Sequence, residues 1–151
     1  MEYTVIFLFN RDLSKVLLQL KDRHIHAGKL NGVGGKLMPG ELPYSSALRE
    51  LREETGVVLQ YPELHHIADI TMPIEWDHRC RPNKAELFFY AAKVDEDAPS
   101  QQPGETEELV WKDVDWVLSQ PATYDGFAGD GDLQYIVNKA VNHFRALSSD
   151  G

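Results

Sequence analysis

Gly35-Lys36-Leu37-Met38-Pro39-Gly40-Glu41-Leu42-Pro43-Tyr44-Ser45-Ser46-Ala47-Leu48-Arg49-Glu50-Leu51-Arg52-Glu53-Glu54-Thr55-Gly56-Val57 is the stretch around which this 151-residue chain is organised. From Pro43 to Thr55 the apolar positions have helical spacing, with Tyr44, Ala47, Leu48, Leu51 and Thr55 in one stripe and Gly56 following as a left-handed cap. At about 100° per residue, Glu50, Glu53 and Glu54 share the side that faces away from the stripe. Carboxylates on adjacent turns repel by about 0.2–0.5 kcal/mol per pair, and a cation would relieve that repulsion. Just upstream, Gly32-Val33-Gly34-Gly35-Lys36-Leu37 reads as a strand end entering a glycine-rich turn, where missing side chains let backbone carbonyls and amides approach a ligand. Loop and helix together therefore make one site.

A solvated acidic helix face after an ordinary turn would explain a lone Glu-Glu pair. It does not explain nine positions fixed together, for which a chance match is on the order of one in ten million from ordinary residue frequencies. The stretch resembles the Nudix box, the signature of the Nudix hydrolase family, at every specified position. The resemblance implies an α/β fold, a Nudix-type α/β/α sandwich around a mixed β-sheet, and residues 1–151 read as a single Nudix hydrolase domain. It also implies hydrolysis of a diphosphate bond within a nucleoside diphosphate linked to another group, with Mg2+, or Mn2+ in its place, as cofactor.

Composition agrees with such an enzyme. The chain is long enough for one domain with a real core and too short for two comfortable ones. Hydrophobic residues at 42% and charged residues at 26% are ordinary for a globular protein, and no apolar run approaches the roughly 20 residues that span a bilayer. Met1-Glu2-Tyr3-Thr4-Val5 lacks the basic start of a signal peptide, so a cytoplasmic address and no membrane partner are expected. The single cysteine, Cys80, leaves no internal disulfide, and no motif around it supports a nucleophile. A net charge of -9 argues against duplex nucleic acid as a partner, since that binding depends on Lys and Arg neutralising phosphates. An acidic protein acting on a polyanionic nucleotide must neutralise charge locally, and divalent cations held by glutamates do so.

Working outward, Tyr3–Phe9 and Val16–Leu20 read as an antiparallel hairpin turning at Asn10-Arg11-Asp12. Lys21–Lys29 is a polar loop whose His24 and His26 lack the further ligands that zinc needs. Leu30–Val33 is a short strand. Leu64–Thr71 and Ala85–Val94 are further strands, joined by a loop carrying Trp76, Arg79, Arg81 and Lys84, either a nucleotide-contacting surface or a hairpin tip. Asp95–Thr106 is a surface loop, Leu109-Val110-Trp111 a strand, Val114–Leu118 a short helix, and Leu133–Phe144 the start of an amphipathic terminal helix.

By resemblance, Glu50, Glu53 and Glu54, the Gly34 or Gly35 carbonyl, and Glu108 from outside the box hold the metal; Glu107 is the choice if the register slips by one. Glu50 is implied as base or water-positioning residue, Arg49 as the partner that fixes a box glutamate, Glu41 as the tie between loop and helix, and Lys36 as a phosphate contact, each readable also as a structural ion pair. Asn31-Gly32-Val33-Gly34-Gly35-Lys36 resembles the segment of oxidised-purine triphosphatases in which the Asn reads the base; the alternative is an Asn bonding its own backbone. Asp130 and Asp132 precede the terminal helix, as purine readers or as its N-cap, with Phe127 as a stacking wall. Three functions follow as alternatives: a sanitising triphosphatase for nucleotides such as 8-oxo-dGTP, an enzyme for ADP-ribose or a nucleotide sugar (Pro73 lies where such enzymes carry a proline), and a noncatalytic nucleotide sensor. The partner in each case is a nucleotide, bound by a monomer or homodimer.

Overall fold

A computed structural model of the chain describes residues 1–22, 26–73, 84–129 and 131–149. The expectations for His24, Trp76, Arg79, Cys80, Arg81 and Asp130 fall outside these residues. The described elements run β1 (Glu2–Phe9), β2 (Lys15–Leu20), β3 (Leu30–Asn31), β4 (Val33–Lys36), α1 (Pro43–Thr55), β5 (His65–Pro73), β6 (Lys84–Lys93), β7 (Glu108–Asp113), α2 (Val114–Ser119) and α3 (Asp132–Ser149).

All the strands join one sheet. β1 is its centre because every second residue can be apolar on both faces: Val5, Phe7 and Phe9 point one way, Ile6 and Leu8 the other, all buried. It pairs parallel with β6 along Glu2–Phe9, and the other pairings are antiparallel, so the sheet is mixed as expected. On the Val5 face sit α2, through Val114 and Val117, and α3, through Leu133, Ile136, Val137, Ala140, Val141 and Phe144. On the Ile6 face sits α1, through Ala47 and Leu51. The sheet is thus layered between helices, an α/β/α arrangement. Among the described residues no helix is long and apolar enough to cross a membrane.

One feature of the sheet positions the site. β1 and β2 pair with each other only at Leu8↔Leu17 and Phe9↔Val16, then diverge. The chain from Leu30 to Lys36 fills the fork: β3 pairs with β2 at Gln19 and Leu20, and after Gly32 β4 pairs with β1 from Tyr3 to Ile6. The expected glycine turn is therefore a strand. Its glycines serve close approach instead: a Cβ on Gly34, at φ +150°, would lie 2.0 Å from the Thr4 carbonyl oxygen, and one on Gly35 would lie 2.7 Å from Glu50 Oε1.

Candidate active site

α1 starts at Pro43, whose missing N–H is no loss in a first turn, and stops where Gly56 takes φ 76° and donates its N–H to the Arg52 carbonyl. These ends fix the rotation of the helix over the sheet. Ala47 and Leu51 go into the core, which turns Glu50 and Glu54 onto the glycine strand rather than away from the protein. Glu54 Oε2 accepts the Gly34 N–H at 2.9 Å. Glu53 remains half-exposed.

Arg49 is the hub of the carboxylates. Its guanidinium grips Glu41 with two hydrogen bonds, Nε to Oε2 at 2.8 Å and Nη2 to Oε1 at 2.9 Å. Nη1 reaches Glu50 at 3.1 Å and Glu53 at 3.0 Å. Glu41 also accepts the Met38 N–H, so the loop before α1 is tied to the helix through one arginine. The Arg49 hydrogen bonds hold the Glu41 carboxyl down at about 2.

Glu50 and Glu54 shift the other way. Burial raises Glu50, opposed by Arg49 and reinforced by Glu53. Burial raises Glu54 to about 7; Lys21 and the Gly34 N–H oppose the rise, while Glu50 and Glu105 add to it. Among the described residues no three His, Cys, Asp or Glu side chains stand ready-converged as a metal centre. The donors nonetheless suit a hard divalent cation: they are carboxylate oxygens beside a glycine backbone, two of them half-buried at a cost that an adjacent positive charge would reduce.

From outside the helix, Glu105 adds to the rise of the Glu54 carboxyl, at a position the sequence reading did not select as a ligand. The β6–β7 loop carries it there: the Ser100 N–H bonds the Thr55 carbonyl at 2.9 Å, and Gln101 Nε2 donates to the Glu105 carbonyl at 2.8 Å. Glu108, the expected ligand, is exposed at the start of β7 opposite Leu20. Glu107 accepts the Asp22 N–H at 2.9 Å and lies 3.6 Å from Lys21 Nζ. The strand signal that drew attention to Glu108 says nothing about how a preceding loop folds back.

Across β4 from the carboxylates lies a cavity of about 1030 Å³. Asn31 and Asp132 are on its wall, with Thr4, Met72, Leu87 and Phe89. Asn31 Oδ1 accepts the Gly32 N–H at 2.8 Å, the local backbone bond that the sequence offered as the alternative to base reading. Asp132 is the first residue of α3. Lys21 and Lys29 add positive groups to the lining and His26 an imidazole, and Gly34 and Gly35 connect cavity and carboxylates. Two expected contacts lie elsewhere. Phe127 is buried in the core, its ring edge-to-face with Tyr124 at 4.7 Å and Trp116 at 5.8 Å, because its strand-like bridge to Leu30 turns it inward. Lys36 is exposed at the end of β4, beside Met1, Glu2 and Glu41, and its carbonyl accepts from Arg49 at 3.4 Å.

The family model for the NUDIX domain matches residues 2–129. An oxidized purine nucleoside triphosphate hydrolase of Danio rerio is 33% identical over 103 residues, 67% of this chain and 60% of that protein, so the match spans about three fifths of the curated relative's length. The mutator MutT protein of Bacillus halodurans superposes with a TM-score of 0.66 at 28% identity, covering 93% of this chain and 81% of that one. The NUDIX domain of Shewanella oneidensis NrtR, solved with ADP ribose, superposes at 0.71 with 22% identity, over 95% and 88% of the two chains. With the box residues gathered on α1 and β4 and the match running through all but the terminal helix, the chain belongs to the NUDIX domain family.

Proposed function

We propose that this protein is a metal-dependent nucleoside triphosphate pyrophosphohydrolase for purine nucleotides of the oxidised class, such as 8-oxo-dGTP. Water attacks phosphorus, the bond between the α- and β-phosphates breaks, and the products are the nucleoside monophosphate and pyrophosphate. The observation that carries this reading is the partition by β4: a cavity roomy enough for a nucleotide, with Asn31 and Asp132, on one side, half-buried glutamates on the other, and Gly34 and Gly35 between them.

Mg2+ is the proposed ion, held by Glu50, Glu53, Glu54 and Glu105 with a glycine carbonyl, and when bound it supplies polarisation of phosphoryl oxygen and a water acidified toward neutral pH. Glu50 lies against Gly35 and is the candidate to orient the attacking water, held by Arg49. Lys21 and Lys29 meet phosphates at the cavity edge. Asn31 offers a donor and an acceptor and Asp132 a carboxylate, a set able to read a purine edge; the wrong base leaves them unpaired. The relative from Danio rerio carries the same activity in its name.

The test is a nucleotide panel with pyrophosphate and phosphate measured separately. The expected result is pyrophosphate release with kcat/KM for 8-oxo-dGTP at least about tenfold above dGTP, narrowing in Asn31→Ala, since losing hydrogen-bond readout costs about that much. Preference for ADP-ribose over every purine triphosphate would refute it.

A further inference from the structure

β2 sends one amide into the protein interior. Leu17 packs on the α1 face of the sheet, and by strand alternation Gln19 follows it on the same face, fully buried at a position a leucine could fill. Its Oε1 accepts a hydrogen bond from Lys21 Nζ at 2.7 Å. Its Nε2 is buried without a hydrogen-bond partner among the described residues. A buried amide N–H with no partner opposes folding, so packing alone does not account for this residue. What it does accomplish is to hold Lys21.

Lys21 stands where the two halves of the site meet. It lines the cavity, and its charge reaches Glu54. Its other anchor, Glu107, is looser at 3.6 Å. A lysine on a four-carbon stem loses much rotamer freedom when it is ordered, and a ligand that must order it binds more weakly. A carboxamide oxygen orders the ammonium during folding. Being uncharged, it leaves the positive charge available to a phosphate, which a carboxylate at the same distance would not.

We infer that Gln19 is a positioning residue, whose buried carboxamide presents the Lys21 ammonium to a phosphate of the nucleotide. The inference rests on the proposed contact between Lys21 and phosphate, though not on the identity of the base.

The experiment uses the full chain with saturating Mg2+ and 8-oxo-dGTP, or ADP-ribose if the panel selects it. KM, kcat and thermal midpoint are measured for wild type, Gln19→Leu, Gln19→Met, Lys21→Met and the Gln19→Leu/Lys21→Met double variant. Gln19→Leu is expected to raise KM about tenfold with kcat within about twofold, the pattern of lost binding shared by ground and transition states. Its thermal midpoint is expected to hold or rise, because the orphaned amide is gone. In the double variant KM should be no higher than in Lys21→Met alone. Unchanged KM in both Gln19 variants overturns the inference, as does a fully multiplicative double variant or a fall in midpoint for both, which would make Gln19 a structural residue. If Lys21→Met itself leaves KM unchanged, the phosphate contact fails and the inference with it. A wrong base assignment shows in the panel alone.

Discussion

Two neighbouring glycines should fail in different ways when given one methyl group. At Gly35 an added Cβ lies 2.7 Å from Glu50 Oε1 and 3.0 Å from its Cδ, whereas ordinary contact begins near 3.4 Å, so the carboxylate must retreat by about 0.7 Å. The obstacle is the end of a flexible side chain, so Gly35→Ala should cost less than about 1 kcal/mol of stability. A displacement of this order at a reacting centre can cost about 100-fold, which is near 2.7 kcal/mol of transition-state stabilisation. At Gly34 the obstacle is backbone: the Cβ meets the Thr4 carbonyl oxygen at 2.0 Å, and φ is +150°. Gly34→Ala must part β4 from β1, and strain plus overpacking put the cost at about 3 kcal/mol or more, roughly 6–12 °C in Tm for a chain of this size. Urea melts in excess chelator give the stabilities, and kcat/KM with Mg2+ gives the activities. Wild-type activity in a stable Gly35→Ala protein would show that Glu50 need not lie against the strand, and wild-type stability in Gly34→Ala would show that the β1–β4 contact is not this close.

Other outcomes follow from the same geometry. Glu105→Gln should weaken Mn2+ binding and activity at least about tenfold, while Glu108→Gln changes neither, as expected when one carboxylate serves the metal and the other is solvated; the reverse order would restore Glu108 as the ligand. Leu51→Ala, at a fully buried position under the glutamate helix, should cost about 2–5 kcal/mol in urea denaturation, and a loss below about 1 kcal/mol would contradict the packing of α1. His65 is held below its usual pKa by burial, then by His143, whose Nε2 lies 3.0 Å from His65 Nδ1, and by Lys93. The unfolded chain therefore binds this proton first, and stability is lost as pH falls through 6.5 toward the folded value. Urea melts from pH 7.5 to 5.5 should show wild type losing more than His65→Gln; the raised carboxyl of Glu54 contributes with opposite sign in both proteins and cancels. Equal losses would mean that His65 keeps its ordinary titration.

What the sequence alone determined is what depends on neighbours along the chain. The periodicity of Tyr44, Ala47, Leu48 and Leu51 and the conformational freedom of Gly56 set α1 to its observed limits, Pro43–Thr55, because the first is a local pattern and the second a local backbone requirement. Continuous apolar runs marked β1 and β6, whose two faces are both covered. Tertiary structure decided what depends on distant segments. The glycines became a strand because β1 and β2 diverge and leave a fork, which the composition of Gly32–Leu37 does not reveal. Glu105 adds to the rise of the Glu54 carboxyl because the loop before β7 is tied back to α1 by the hydrogen bond from Ser100 to Thr55, a contact between segments far apart in the chain. Phe127 went into the core and Lys36 to the surface because the pairings of their backbones, with Leu30 and Tyr3, set the direction of each side chain. Lys21 and Gln19 gained their places from the register of β2 against β3 and β7, a relation between segments far apart in the chain.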